Sequence, residues 1–270
     1  MPIRVILAGL LLCAFGALTA ISFTHVVRSR SKCFHMGVLL TSGLGSASML
    51  VPNEDKDWLY LARILFTFTH IACAAILQRI IYRWFRILQH HSTQEIFLAT
   101  LCGHFQTWNM FLLSGLALLT AYGSSCILTS ILLMLNFLTC AAWLDGSLFA
   151  RRESASLPRS VGYKPTADAV RPIDVSLFHM RWDLHSLHVP YDGSRILLGK
   201  MTQSLVVASV LLCASSAAHL TLYVICLRYT KLCDLDFEYI GFFLCHTIGT
   251  LPFLAMLTTP GFLSRFDASR

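Results

Sequence analysis

The chain of 270 residues is 56% hydrophobic and only 13% charged, with a mean hydropathy of +0.64, whereas ordinary water-soluble domains carry about 25% charged residues. That balance excludes a soluble globular domain and points to a chain built for lipid. A net charge of +7 would suit nucleic acid, but no lysine-rich tract or aromatic–basic interleaving accompanies it, and the basic residues sit between apolar runs as topology signals do.

The first apolar run covers residues 5–26. Residues 1–20 also resemble a signal peptide, with Arg4 ahead of the run and small residues at its end. Leu18 occupies the place where a cleavage site wants a small residue, and the run continues from Ile21 to Val27, so an uncleaved first span is expected. Phe34 to Val51 is shorter in strongly apolar residues and rich in Gly and Ser, which predicts an interfacial or re-entrant segment, with a seventh span as the alternative. Further runs at 58–82, 99–121, 124–146, 201–227 and 238–259 are apolar on all sides and long enough to cross a bilayer, for which roughly 20 helical residues suffice. "AYGSSC" at 121–126 supplies a tight turn between the third and fourth spans. The expectation is an all-α, polytopic transmembrane helix bundle of about six spans, one integral membrane domain over 1–270.

Residues 147–200 form the long polar segment, broken by Pro158, Pro165, Pro172 and Pro190. With the amino terminus inside, thirteen loop Lys and Arg residues fall on the cytosolic side and six on the other, which favours both termini in the cytosol and makes 147–200 a cytosolic loop. The cluster Arg28, Arg30 and Lys32 opposes that assignment. In this topology Cys33 and Cys233 lie beyond helix ends on the non-cytosolic side, where an oxidising lumen permits a disulfide between the first and last outer loops.

An ionisable side chain at bilayer depth costs at least about 2.5 kcal/mol for Arg, Lys or Asp on the insertion scale, so such groups face a bundle interior. Arg63, Thr67 and His70 share one helical face at i, i+4 and i+7. His104, Gln106 and Asn109 lie in the third span; Ser209, Cys213, Ser216 and His219 in the fifth; His246 in the sixth, above Pro252. Together they predict a polar seam. One reading makes it hydrogen-bonding glue between helices that approach closely at "CASSAAH". The other has His70, His104, His219 and His246 line a cavity for a lipid head group or acyl ester, with Arg63 holding a phosphate by paired hydrogen bonds.

In the long loop, His179, Asp183, His185 and His188 fall close together, but without the tighter ligand spacings of zinc sites no metal is expected. Phe178, Trp182, Leu184 and Leu187 instead suit an amphipathic segment on anionic lipid. A serine-hydrolase elbow and phosphate- or dinucleotide-binding glycine motifs are missing from the sequence, and no cofactor is expected.

Two short stretches, the six-span layout with both termini cytosolic and the Ser-rich fifth span led by Lys200 resemble the Frag1/DRAM/Sfk1 family, and within it the branch that remodels fatty acids after GPI attachment. One stretch is "CFHMGVLLTSGLGSASMLVPNEDKDWLYLARI", a cysteine soon after the first span followed by an approach to the second; the other is "KLCDLDFEYIGFFLCH", a cysteine, an aromatic residue and then a polar position in the last span. That polar position is typically a glutamate in the branch and is His246 here; the family's Pro-x-Ile-Ser element is missing. The resemblance implies residence in the Golgi or endoplasmic reticulum and a part in exchanging an unsaturated acyl chain of a GPI anchor for a saturated one. It leads to expected roles for His246, His70 and His219 in proton transfer and for Arg63 at the lipid phosphate. The alternatives are a non-enzymatic scaffold or regulator that recruits a lipid-modifying protein partner through residues 147–200, and a small transporter.

Overall fold

The structure, a computed structural model, describes residues 2–28, 32–51, 56–88, 104, 107–119, 126–156, 191–228, 235–259 and 262. These are almost entirely helical: α1 (Pro2–Arg28), α2 (Lys32–Leu50), α3 (Lys56–Leu88), α4 (Thr107–Leu119), α5 (Cys126–Ser156), α6 (Tyr191–Arg228), α7 (Leu235–Cys245) and α8 (Leu251–Thr258). A π turn at His246–Thr250 joins α7 to α8 as one continuous rod. Among the described residues four helices are long and apolar enough to cross a membrane, over Val5–Val27, Leu61–Ile81, Thr202–Ile225 and Tyr239–Thr258, with shorter apolar helices at Thr107–Leu119 and Ile127–Ala142. The chain is therefore an all-α protein whose apolar helices fit an integral membrane protein.

The helices are central or peripheral to different degrees. The apolar window of α3 is 67% buried and that of α1 only 22%, so α3 forms the axis and α1 presents Val5, Ile6, Leu10 and Phe23 outward. In lipid such exposed apolar side chains carry no penalty, and helix association rests on packing and interhelical hydrogen bonds. Phe15, Phe34, Phe66, Phe137 and Phe253 are fully buried and fill the centre. Glycine makes room for a ring at the contact of α1 with α2: a Cβ on Gly45 of α2 would lie 2.6 Å from the Phe15 ring of α1.

Two expectations change. Phe34–Val51, expected as an interfacial or re-entrant segment, is mostly the continuous helix α2 packed between α1 and α3. Its polar residues His35, Thr41, Ser42 and Ser48 are buried while Met36, Leu40 and Leu50 are exposed. Hydroxyl groups remain satisfied inside the helix because Thr41, Ser42 and Ser48 donate to the carbonyls of Gly37, Leu39 and Gly45. The long segment 147–200 is also helical at both ends, since α5 runs on to Ser156 and α6 starts at Tyr191. Residues 157–190, with the His179–His188 cluster and the amphipathic segment, lie outside the described residues.

The expected Cys33–Cys233 bridge finds no support. Cys233 is outside the described residues. Cys33 is at the beginning of α2, whereas α7 starts near its end, where the Tyr239 hydroxyl donates to Val51 O at 3.0 Å.

Candidate functional site

Helices α3, α6 and the α7–π–α8 rod bring three of the four expected histidines together around a phenylalanine that the seam reading did not include. The Phe66 ring lies 4.4 Å from His70, 4.6 Å from His219, 4.7 Å from His246 and 4.9 Å from Phe242, centroid to centroid. Spacing explains the gathering: Phe66 and His70 are one turn apart on α3, as are Ser215 and His219 on α6, and the two turns face each other. His70 and His246 stack at 6.0 Å. Phe15 of α1 closes the group with its ring edge-on to His246 at 5.1 Å.

Each imidazole is tied to a hydroxyl on another helix. His70 Nδ1 is 3.1 Å from Phe66 O, which only accepts, so the ring proton sits on Nδ1 and Nε2 faces Ser215 Oγ at 2.9 Å as an acceptor. Ser215 Oγ is also 2.8 Å from Cys245 O, the residue just before the π turn. Its single hydroxyl proton thus faces two acceptors, one on α3 and one on α7. His219 Nδ1 pairs with Ser130 Oγ of α5 at 3.0 Å. Ser48 of α2 donates to its own helix, so His246 donates from Nε2 to Ser48 Oγ at 3.4 Å and accepts at Nδ1 from Thr250 Oγ1 at 3.3 Å.

The π turn belongs to this construction. A π turn shifts carbonyls out of the regular ladder and is frequent at functional positions; here Leu251 N–H donates to His246 O, while Ser215 reaches Cys245 O. Gly249 permits the contact with α6: a Cβ there would lie 2.5 Å from Ser215 Cβ and 3.3 Å from Leu211 O.

Arg63 stands at the end of α3 closer to Lys56, half-buried, with its guanidinium carbon 5.2 Å from the centroid of the Tyr223 ring on α6, within the range of a cation–π contact. It is one turn from the Phe66–His219 pair. Thr67, expected on the same face, is buried and donates to Arg63 O at 2.8 Å. His104 is exposed, Gln106 lies outside the described residues, and Asn109 is buried on α4. Ser209 donates to Leu205 O within α6 and Cys213 Sγ donates to Met134 O of α5 at 3.6 Å. Among the described residues no group of three or more His, Cys, Asp or Glu is arranged to hold a metal ion.

A sequence signal for the missed members existed. Ser215 precedes His219 by four and Phe66 precedes His70 by four, the spacing that stacks side chains on one helical face. Ser48 and Ser130 had no such cue, because their partners come from distant helices. Comparison with known proteins adds no relative: no family model, no curated protein and no solved structure matches the chain.

Proposed function

We propose that this chain is a polytopic membrane protein that handles a phosphate-bearing lipid, and that the lipid is a GPI anchor undergoing acyl exchange, as its resemblance to the post-GPI-attachment branch of the Frag1/DRAM/Sfk1 family implies. The observation that carries the reading is the position of Arg63: a permanent cation, steadied by the Tyr223 ring, one turn from a buried group of three imidazoles. A guanidinium at that depth suits a lipid phosphate, because its planar donors match two phosphate oxygens at once. His246, His70 and His219 are the groups proposed to move a proton in the exchange, His246 holding the family's polar position. The Golgi or endoplasmic reticulum is the proposed compartment. Arg63→Ala and His246→Ala, expressed in cells and checked for normal localisation, are expected to leave GPI anchors with their unsaturated chains; unchanged saturated anchors would remove those roles.

A second reading has its own support. The imidazoles are almost fully buried and their nitrogens engage Ser, Thr or backbone partners, several of them on neighbouring helices, which suits a structural core in a non-enzymatic scaffold whose partner binds the 147–200 region. Deleting residues 157–190 discriminates: a scaffold loses its effect on anchors, whereas an enzyme with an intramembrane site retains it.

A further inference from the structure

The order in which residues meet fixes the direction of every long helix. Between α1 and α2, His25 stacks on His35, the Thr19 hydroxyl donates to Ser42 Oγ, and Phe15 faces Gly45; one number falls as the other rises, so the two are antiparallel over most of their length. Gly37 faces Ile76, while Ser48 and Phe66 meet at His246, so α3 runs against α2. Arg63–Tyr223, Phe66–His219 and His70–Ser215 set α6 against α3. Ser130–His219 and Met134–Cys213 set α5 against α6. Gly241 faces Leu222 and Gly249 faces Ser215, so the last rod also opposes α6.

α1, α3, α5 and the α7–π–α8 rod therefore point one way, α2 and α6 the other. Because α3 and α5 share a direction, the end of α3 and the start of α5 lie at opposite ends of the bundle, and the apolar helix Thr107–Leu119 falls between them in sequence. α2 is the decisive element. Its 19 residues rise about 28 Å, close to the ~30 Å of bilayer hydrocarbon, and it contacts α1 from the level of His25 to that of Phe15 with no reversal. A re-entrant segment would turn back midway.

We infer that α2 crosses the bilayer, so that the chain traverses it seven times, with the amino-terminal end of α1 on the non-cytosolic side and the carboxyl-terminal end of α8 in the cytosol. Charge supports this independently. With six crossings the basic loop residues divide thirteen to six; with seven, Arg28, Arg30 and Lys32 join the basic face and Arg4 leaves it, giving fifteen to four. Basic loop residues gather on the cytosolic side, so the cluster that opposed the six-span assignment now agrees with the rest. The basic face is also where α3, α5 and α6 extend beyond their apolar windows. Arg63 and the imidazole cluster lie toward the other face, in the non-cytosolic leaflet.

The test is acceptor scanning in the full chain. The sequence has no Asn-x-Ser/Thr site, so a neutral acceptor-bearing spacer reports alone when placed ahead of Met1, between Pro52 and Lys56, between Arg28 and Lys32, or after Arg270. Seven crossings give glycosylation at the first two positions and none at the last two. Glycosylation between Arg28 and Lys32 with none ahead of Met1, loss of the leading spacer from the mature chain, or the fully inverted pattern each overturns the inference. Protease treatment of an amino-terminal epitope gives a second reading: protection in sealed microsomes and cleavage after opening support it, cleavage in sealed microsomes refutes it.

Discussion

The Phe66 ring meets the His246 imidazole edge to face at 4.7 Å, which joins the axis helix α3 to the last rod of the bundle at the point where that rod leaves α-helical geometry. Both side chains are fully or almost fully buried, and the same Phe66 ring touches His70, His219 and Phe242. Phe66→Ala therefore removes the common contact of four rings and is expected to cost about 3–5 kcal/mol, the usual range for truncating a buried aromatic. Reversible unfolding in mixed micelles measures it. A loss under about 1 kcal/mol would show that the rings do not hold one another.

Ser215→Ala deletes the hydroxyl shared by His70 Nε2 and Cys245 O. Interhelical hydrogen bonds in membrane proteins average only about 0.6 kcal/mol and reach about 1.7, so a loss of about 1–3 kcal/mol is expected for two affected acceptors. The informative quantity is the coupling. In a double-mutant cycle, Ser215→Ala and His70→Ala should fall short of additivity by about 0.6–1.7 kcal/mol, and strict additivity would mean that the 2.9 Å contact carries no energy.

Tautomers give a prediction without mutation. The hydrogen-bond pattern puts the ring proton on Nδ1 of His70 and on Nε2 of His246. Nitrogen-15 shifts of labelled protein should display an Nδ1-protonated ring that is lost in His70→Phe and an Nε2-protonated ring that is lost in His246→Phe. Finding His70 protonated on Nε2 would break the link to the Phe66 carbonyl.

Glycines divide into two groups with opposite expectations. A Cβ at Gly249 or Gly45 meets Ser215 or Phe15 at 2.5 and 2.6 Å, and because these neighbours are packed, each Ala substitution should cost about 1–3 kcal/mol. Gly16 and Gly43 have nothing within 4 Å of the added carbon, so Ala there should be neutral or stabilising by up to about 1 kcal/mol, the difference in helix propensity. Equal effects at all four sites would contradict the close approach of α2 to α1 and of the π turn to α6.

Hydropathy alone identified the apolar windows of α1, α3, α6 and the final rod, because a continuous apolar run has few alternatives in lipid. It was less informative for α2. Its Gly, Ser and Thr residues lower its mean hydropathy, yet Thr41, Ser42, Gly45 and Ser48 are buried, where Gly45 admits Phe15 and the hydroxyls bond to their own helix. Composition does not reveal which face a small residue occupies. His70, His219 and His246 were legible as polar groups within apolar runs, and the structure places all three at one point. His104 belongs to the same class by sequence and differs only by tertiary position. Phe66 carried no polar signal, since a phenylalanine in a membrane span is indistinguishable from its lipid-facing neighbours until its partners are known.

The pairing of Ser48 and His70 with partners near the opposite end of the chain bears on biogenesis. His246 meets Ser48 of α2, and Cys245 reaches, through Ser215, the imidazole of His70. During synthesis α1, α2 and α3 would enter the membrane long before those partners are made, leaving the His70 Nε2 acceptor temporarily unmatched in hydrocarbon. Maturation of the protein then depends on how long the translocation machinery shelters the early helices, and substitutions near Gly249 should reveal themselves first as premature degradation.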